Sequence, residues 1–119
     1  MKRKILAALG VVALPAMLGV AFVATPASAD CPADTFCLYE TAGYKDGEFR
    51  YHPTTTCTQL SSGINNDANA MRNYRNYYVR LWDFPGCVGS TQYTAKPLSF
   101  DSDFGNNGFS NKASSLKRV

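Results

Sequence analysis

The chain from residue 30 onward is predicted to be an all-β domain, a small sandwich of two Greek-key motifs. Three observations predict this. No stretch of eleven residues carries apolar side chains at helical spacing; turn-forming Gly, Pro, Asn, Asp, Ser and Thr recur every few residues; and the second half of the domain tracks the first.

The first element is a leader and not part of the sandwich. Met1-Lys2-Arg3-Lys4, an apolar run over 5–24 and Ala27-Ser28-Ala29 before Asp30 form the basic, apolar and small-residue order of a secretory signal peptide, 1–29. An apolar run of about 20 residues just spans a bilayer, but Pro15, Pro26 and the Ala-Ser-Ala site favour cleavage over a membrane anchor. Asp30 stands where a lipid-anchored protein needs a small residue before Cys31. The expectation is a freely secreted, extracellular domain over 30–119.

The leader takes three of the 12 Lys+Arg and none of the 9 Asp+Glu, leaving nine of each sign and no basic block. A neutral domain offers phosphate backbones or anionic lipid no electrostatic footprint, so neither nucleic acid nor a membrane surface is expected as partner. Ninety residues bury only about 60–65% of their unfolded surface, a size at which covalent staples help. Four Cys at 31, 37, 57 and 87, in a small secreted domain without a Cys-x-x-Cys pair and with His52 as its only His, argue for two disulfides and against a zinc site. Three connectivities satisfy that count.

Six strands are expected, over 36–40, 48–52, 70–74, 77–83, 91–95 and 114–118. Phe49 and Tyr51 alternate with Glu48, Arg50 and His52, while Tyr77, Val79 and Leu81 alternate with Tyr78, Arg80 and Trp82. The repeat is the most informative feature. Leu38-Tyr39-Glu40 and a turn to Gly47 resemble Leu81-Trp82-Asp83 and a turn to Gly89, an offset of about 43. Asn66-Asp67-Ala68-Asn69-Ala70-Met71 resembles Ser110-Asn111-Lys112-Ala113-Ser114-Ser115 at an offset of 44. Motif one then covers about 36–74 and motif two about 78–119.

These residues resemble a known family. Leu-aromatic-acid, an aromatic or Cys five residues after that aromatic, a nearby Gly and an Asn/Asp-rich turn into Ala-Ser-Ser resemble the βγ-crystallin Greek key. Three segments narrow it: the opening from Cys31 through Phe36-Cys37-Leu38-Tyr39-Glu40, then Cys57-Thr58-Gln59-Leu60, then Trp82-Asp83-Phe84-Pro85-Gly86-Cys87-Val88-Gly89. Together they look like the secreted actinobacterial peptidase inhibitors of family I36, over essentially all of 31–119. The resemblance implies bridges Cys31–Cys37 and Cys57–Cys87, a secreted protease, metalloproteases among the targets, as partner, and no enzymatic activity.

An inhibitor needs an exposed segment, presented in extended form and rigid enough that binding costs little ordering entropy. Phe84, Pro85, Gly86, Cys87, Val88 and Gly89 are the candidate, with Phe84 or Val88 as apolar anchor; an ordinary hairpin turn is the plainer reading. Calcium is the one cofactor considered, because many βγ-crystallin-like domains hold it on paired Asn/Asp-Asn/Asp-x-x-Ser/Thr-Ser segments whose oxygens suit a hard cation. Both copies depart from that form, so a composite of Asn66, Asp67 and Ser114 is the candidate, against simple turn capping.

Tyr74, Tyr77, Tyr78, Trp82 and Tyr93 are read as packing residues more than as a binding surface. His52 beside Pro53 has no activating partner in sequence, and no catalytic residues are assigned. The functional expectation is a monomeric secreted peptidase inhibitor acting through a disulfide-braced loop. Two alternatives remain: a calcium-binding or structural extracellular module, and a small toxin-like or cell-wall-binding protein.

Overall fold

The computed structural model describes residues 31–119; the leader and its cleavage site lie outside them. These residues form β1 (Phe36–Tyr39), β2 (Glu48–Tyr51), β3 (Thr58–Gln59), β4 (Ala70–Asn73), β5 (Val79–Trp82), β6 (Gln92–Ala95), β7 (Ser99–Asp101) and β8 (Ser115–Arg118). Two antiparallel four-stranded sheets result, in the orders β2-β1-β4-β7 and β3-β8-β5-β6. Each sheet holds three strands from one half of the domain and one from the other. β3 leaves the first half to pair with β8, and β7 leaves the second half to pair with β4.

All six expected strands are present, trimmed at their ends. The two not expected are β3 and β7, the exchanged ones, which at two and three residues are too short to show a period of two. The alternations place side chains as read. Val79 and Leu81 are fully buried in one cluster with Leu38, Met71 and Leu116, and Phe49 and Tyr51 pack against it. A 3₁₀ turn, Phe104–Asn107, begins where Asp103 Oδ1 accepts the Gly105 N–H at 2.8 Å. It delivers Phe104 to the core, where its ring lies 4.6 Å from that of Tyr93 and 5.8 Å from that of Phe109. A smaller cluster of Cys31, Cys37, Tyr39 and Ala70, flanked by Tyr44 and Tyr74, forms apart from the main core. Among the crowded aromatics Tyr78 departs from the packing expectation, since 47% of it is exposed.

Backbone dihedrals carry the repeat further than residue types do. Gly43 and Gly86 have φ of 85° and 81°, and the residues after them, Tyr44 and Cys87, have 61° and 56°. The closing segments sit one residue from the register that sequence similarity suggests. Asn66 (φ 58°) corresponds to Asn111 (φ 59°) and not to Ser110. The reciprocal bonds Asn66 N–H to Ala113 O, 2.8 Å, and Asn111 N–H to Ala68 O, 3.1 Å, fix that correspondence. Met71 and Leu116 then stand opposite Leu38 and Leu81 in their sheets. Extra residues between the first hairpin and the last strand of the second half account for the slip.

Disulfides join Cys31 to Cys37 and Cys57 to Cys87, with Cα separations of 6.0 and 5.9 Å. This is the pairing the family resemblance implies. The first ties the start of the domain to β1, and the second ties the approach to β3 to the turn after β5. On a chain-entropy model they contribute about 2 and roughly 3–4 kcal/mol.

Three phenols are held above their ordinary pKa. Burial is the main cause for Tyr39, reinforced by Glu48, whose Oε1 accepts the Tyr39 hydroxyl at 3.1 Å. Burial again leads for Tyr93, whose hydroxyl donates to Asp101 Oδ2 at 2.7 Å, and for Tyr44. A folded-state pKa above the unfolded value of about 10 gives stability that is complete below that pH and is lost as pH climbs toward the folded value. Chemical denaturation should therefore show stability falling steadily above pH about 10. Phenolate absorbance should show part of the tyrosines ionising only as the domain unfolds.

Candidate functional site

The turn after β5 is exposed at its tips and anchored beneath. Phe84 and Val88 are 57% and 58% exposed, four residues apart on one short turn. Between them Gly86 and Cys87 are both left-handed, so the segment is a compact turn and not the extended strand that a substrate-like inhibitor would show. A non-glycine residue at positive φ costs about 1–2 kcal/mol, and Cys87 is held there by its disulfide and by its N–H, which donates to Ser115 Oγ at 2.9 Å. The Ser115 hydroxyl in turn donates to Phe84 O at 2.6 Å. A single buried hydroxyl on β8 thus bridges Phe84 and Cys87 across the turn.

Two amides complete the frame. Gln59 Oε1 accepts the Gly86 N–H at 3.2 Å, and Gln92 Nε2 donates to Gly89 O at 2.8 Å. The Phe84 ring lies over Gly89, where a Cβ would stand 2.9 Å from Cδ2, so glycine is needed there for space as well as for its φ of 111°. Sequence reasoning reached the turn through Cys87 and Pro85 but missed Ser115, Gln59 and Gln92. Only their positions beside Cys57 and in the Ser-Ser pair hinted at them.

Of the calcium candidates, the structure brings Asn66 and Ser114 together and leaves Asp67 exposed. The Ser114 hydroxyl donates to Asn66 Oδ1 at 2.9 Å, across the two halves. In the related position of the first half stands Asn69, which sequence reasoning did not single out. Its Nδ2 donates to Glu40 O and to Asn111 Oδ1, both at 2.8 Å, and its Oδ1 accepts from the Ser110 hydroxyl. The side-chain oxygens of Asn66 and Ser114 are thus engaged with each other, and those of Ser110 and Asn111 with the Asn69 amide, while the Asp67 carboxylate stands exposed beside them. Among the described residues no three His, Cys, Asp or Glu side chains gather as a metal cluster, and His52 is exposed.

The family model of peptidase inhibitor family I36 matches residues 24–94, a span that contains the whole turn. No curated protein matches the chain. Among the solved structures that match are βγ-crystallin domains. One, from work on the evolution of the eye lens βγ-crystallin fold, has a TM-score of 0.65 at 14% identity and covers 76% of this chain and 90% of its own. A βγ-crystallin from an archaeon has 0.59 at 15%, covering 74% and 100%. One from Ciona intestinalis has 0.59 at 18%, covering 71% and 99%. At such identities these neighbours establish the βγ-crystallin fold alone.

Removing the Ser115 hydroxyl leaves the Cys87 N–H and the Phe84 carbonyl without their partner. Ser115→Ala is expected to cost about 1–3 kcal/mol. Amide exchange should accelerate at Cys87 and Gly86 more than in β5 or β8, and a uniform acceleration would show that the hydroxyl does not act through the turn.

Proposed function

Because the chain belongs to peptidase inhibitor family I36, a family of inhibitors and not of enzymes, we propose that it blocks a secreted peptidase with the turn at Phe84, Pro85, Gly86, Cys87, Val88 and Gly89. The observation that carries this is the pairing of two exposed apolar side chains with a backbone that is already fixed. Phe84 and Val88 stand out from a turn held by one disulfide and four hydrogen bonds. Little ordering entropy is lost when such a turn enters a pocket, so buried apolar area is available as affinity. Left-handed Gly86 and Cys87 make it a knob, so Phe84 and Val88 enter as two apolar wedges. Zinc metallopeptidases with an apolar primary pocket are the first targets to try, since the tips carry no charge. Secretion as a monomer through cleavage after Ala29 completes the proposal.

A second reading, a structural or calcium-binding βγ-type module, is favoured by the Asn66 and Ser114 contact across the halves. Calcium requires 6–8 oxygens. With Asn66 and Ser114 bonded to each other and Asp67 the one carboxylate beside them, calcium at about 1 mM is expected to leave Tm where chelator does; a clear rise would favour this reading by linkage.

Inhibition is read by titrating the oxidised domain against secreted metallo- and serine peptidases. Val88→Asp and Phe84→Ala should abolish inhibition and change Tm little, because both side chains are mostly in solvent. Full inhibition by both variants would remove the turn from the mechanism.

A further inference from the structure

Four strand edges bound the two sheets, and three of them are protected. β2 carries Glu48 and Arg50, which pair with each other at its rim. β3 has two residues and follows the disulfide-bonded Cys57. β7 has three, set between Pro97 and Asp103. The fourth, β6, reads Gln92-Tyr93-Thr94-Ala95: four residues with neither charge nor Pro. An open, uncharged edge is a template for another strand.

The bonding phase of β6 is fixed by its partner. Asp83 N–H donates to Thr91 O at 3.1 Å, and Leu81 stands opposite Tyr93. Antiparallel alternation therefore commits the backbone groups of Tyr93 and Ala95 to β5 and turns those of Gln92 and Thr94 outward. Both residues are exposed. They border a cleft of about 560 Å³ that β7 lines on its other side, with Tyr93 and Phe100 as its apolar surface and Lys96 and Asp101 as its charged groups.

We propose that the edge of β6 adds an extended strand of the inhibited peptidase, so that the inhibitory contact runs from the turn along Gln92–Ala95 beside the cleft. This rests on the reading of the turn given above. The occupant follows from continuity. Gln92 lies three residues beyond Gly89, and its side chain donates to Gly89 O, so the turn and the edge form one rim. A six-residue turn by itself falls short of the roughly 800 Å² per partner that protease–inhibitor complexes bury, and the edge supplies the remaining contact. The recognised chemistry is a run of backbone N–H and C=O groups, with one apolar side chain directed at Tyr93 and Phe100.

Thr94→Pro removes an outward N–H while leaving the bonds to β5 in place, and Thr94→Lys puts a charge on the edge as natural sheets do. The probe is whichever of thermolysin, subtilisin and chymotrypsin the unmodified domain inhibits. Both variants lose the hydroxyl that accepts the Arg80 Nε–H at 3.1 Å, so Tm is expected to fall slightly; inhibition is expected to weaken about tenfold or more, and the Gln92 and Thr94 amides are expected to become protected from exchange in the complex. Unchanged inhibition by Thr94→Lys without such protection overturns strand addition while the turn reading stands. A free domain that dimerises, and becomes monomeric with Thr94→Lys, assigns the edge to a second copy and also overturns it. Should none of the three enzymes be inhibited, the turn reading and the strand addition fall together.

Discussion

The exchange of one strand between the two halves is the constraint on which the rest of the molecule depends. Because β3 completes the sheet of the second half, Cys57 arrives within bonding distance of Cys87. Gln59, one residue into the same strand's pairing with β8, reaches Gly86. Because β7 leaves β6 to complete the other sheet, the hairpin between them opens and a cleft forms where a closed edge would otherwise lie. The fixed turn and the free edge are thus two results of one topological choice.

The two halves share a backbone and use it differently. At the corner after the first strand of each half the same left-handed pair appears, Gly43-Tyr44 and Gly86-Cys87. In the first half the corner is closed by aromatic packing: the Tyr44 ring lies 5.5 Å from Tyr39 and 4.0 Å beneath the Arg72 guanidinium. In the second half a sulfur takes the place of the ring. A disulfide occupies little volume and holds the corner from below, which leaves the side chains on either side of it free to stand in solvent.

Much of this was legible before any coordinates. The two-residue alternation in Tyr77 to Trp82, the repeat of Leu-aromatic-acid and the cysteine count were sufficient for fold class and for most strands, because each is a local pattern imposed by burial on one face. What escaped reading is non-local. A strand of two residues has no period, so β3 and β7 were invisible; the slip that pairs Asn66 with Asn111 shows only through reciprocal backbone bonds. The turn was found because Cys, Pro and Gly mark turns by their chemistry. Its braces were not, since Ser115, Gln59 and Gln92 are ordinary polar residues until the fold sets them around it. The positive φ of Gly86 and Gly89 is what glycine in a turn leads one to expect, whereas that of Cys87 escaped for the same reason as the braces.

Strand exchange has a further consequence for a turn exposed to peptidases. A cut before Cys87 separates a fragment holding Cys57 from one holding Cys87, and the bridge keeps them joined. A cut after Cys87 leaves both cysteines on one fragment, yet that fragment's β3 and β5 alternate with the other's β8 and β6 in one sheet, and the other's β7 forms an edge of the second. Neither piece can depart without dismantling both sheets, so hydrolysis of the turn would leave the two pieces held together with no diffusible product.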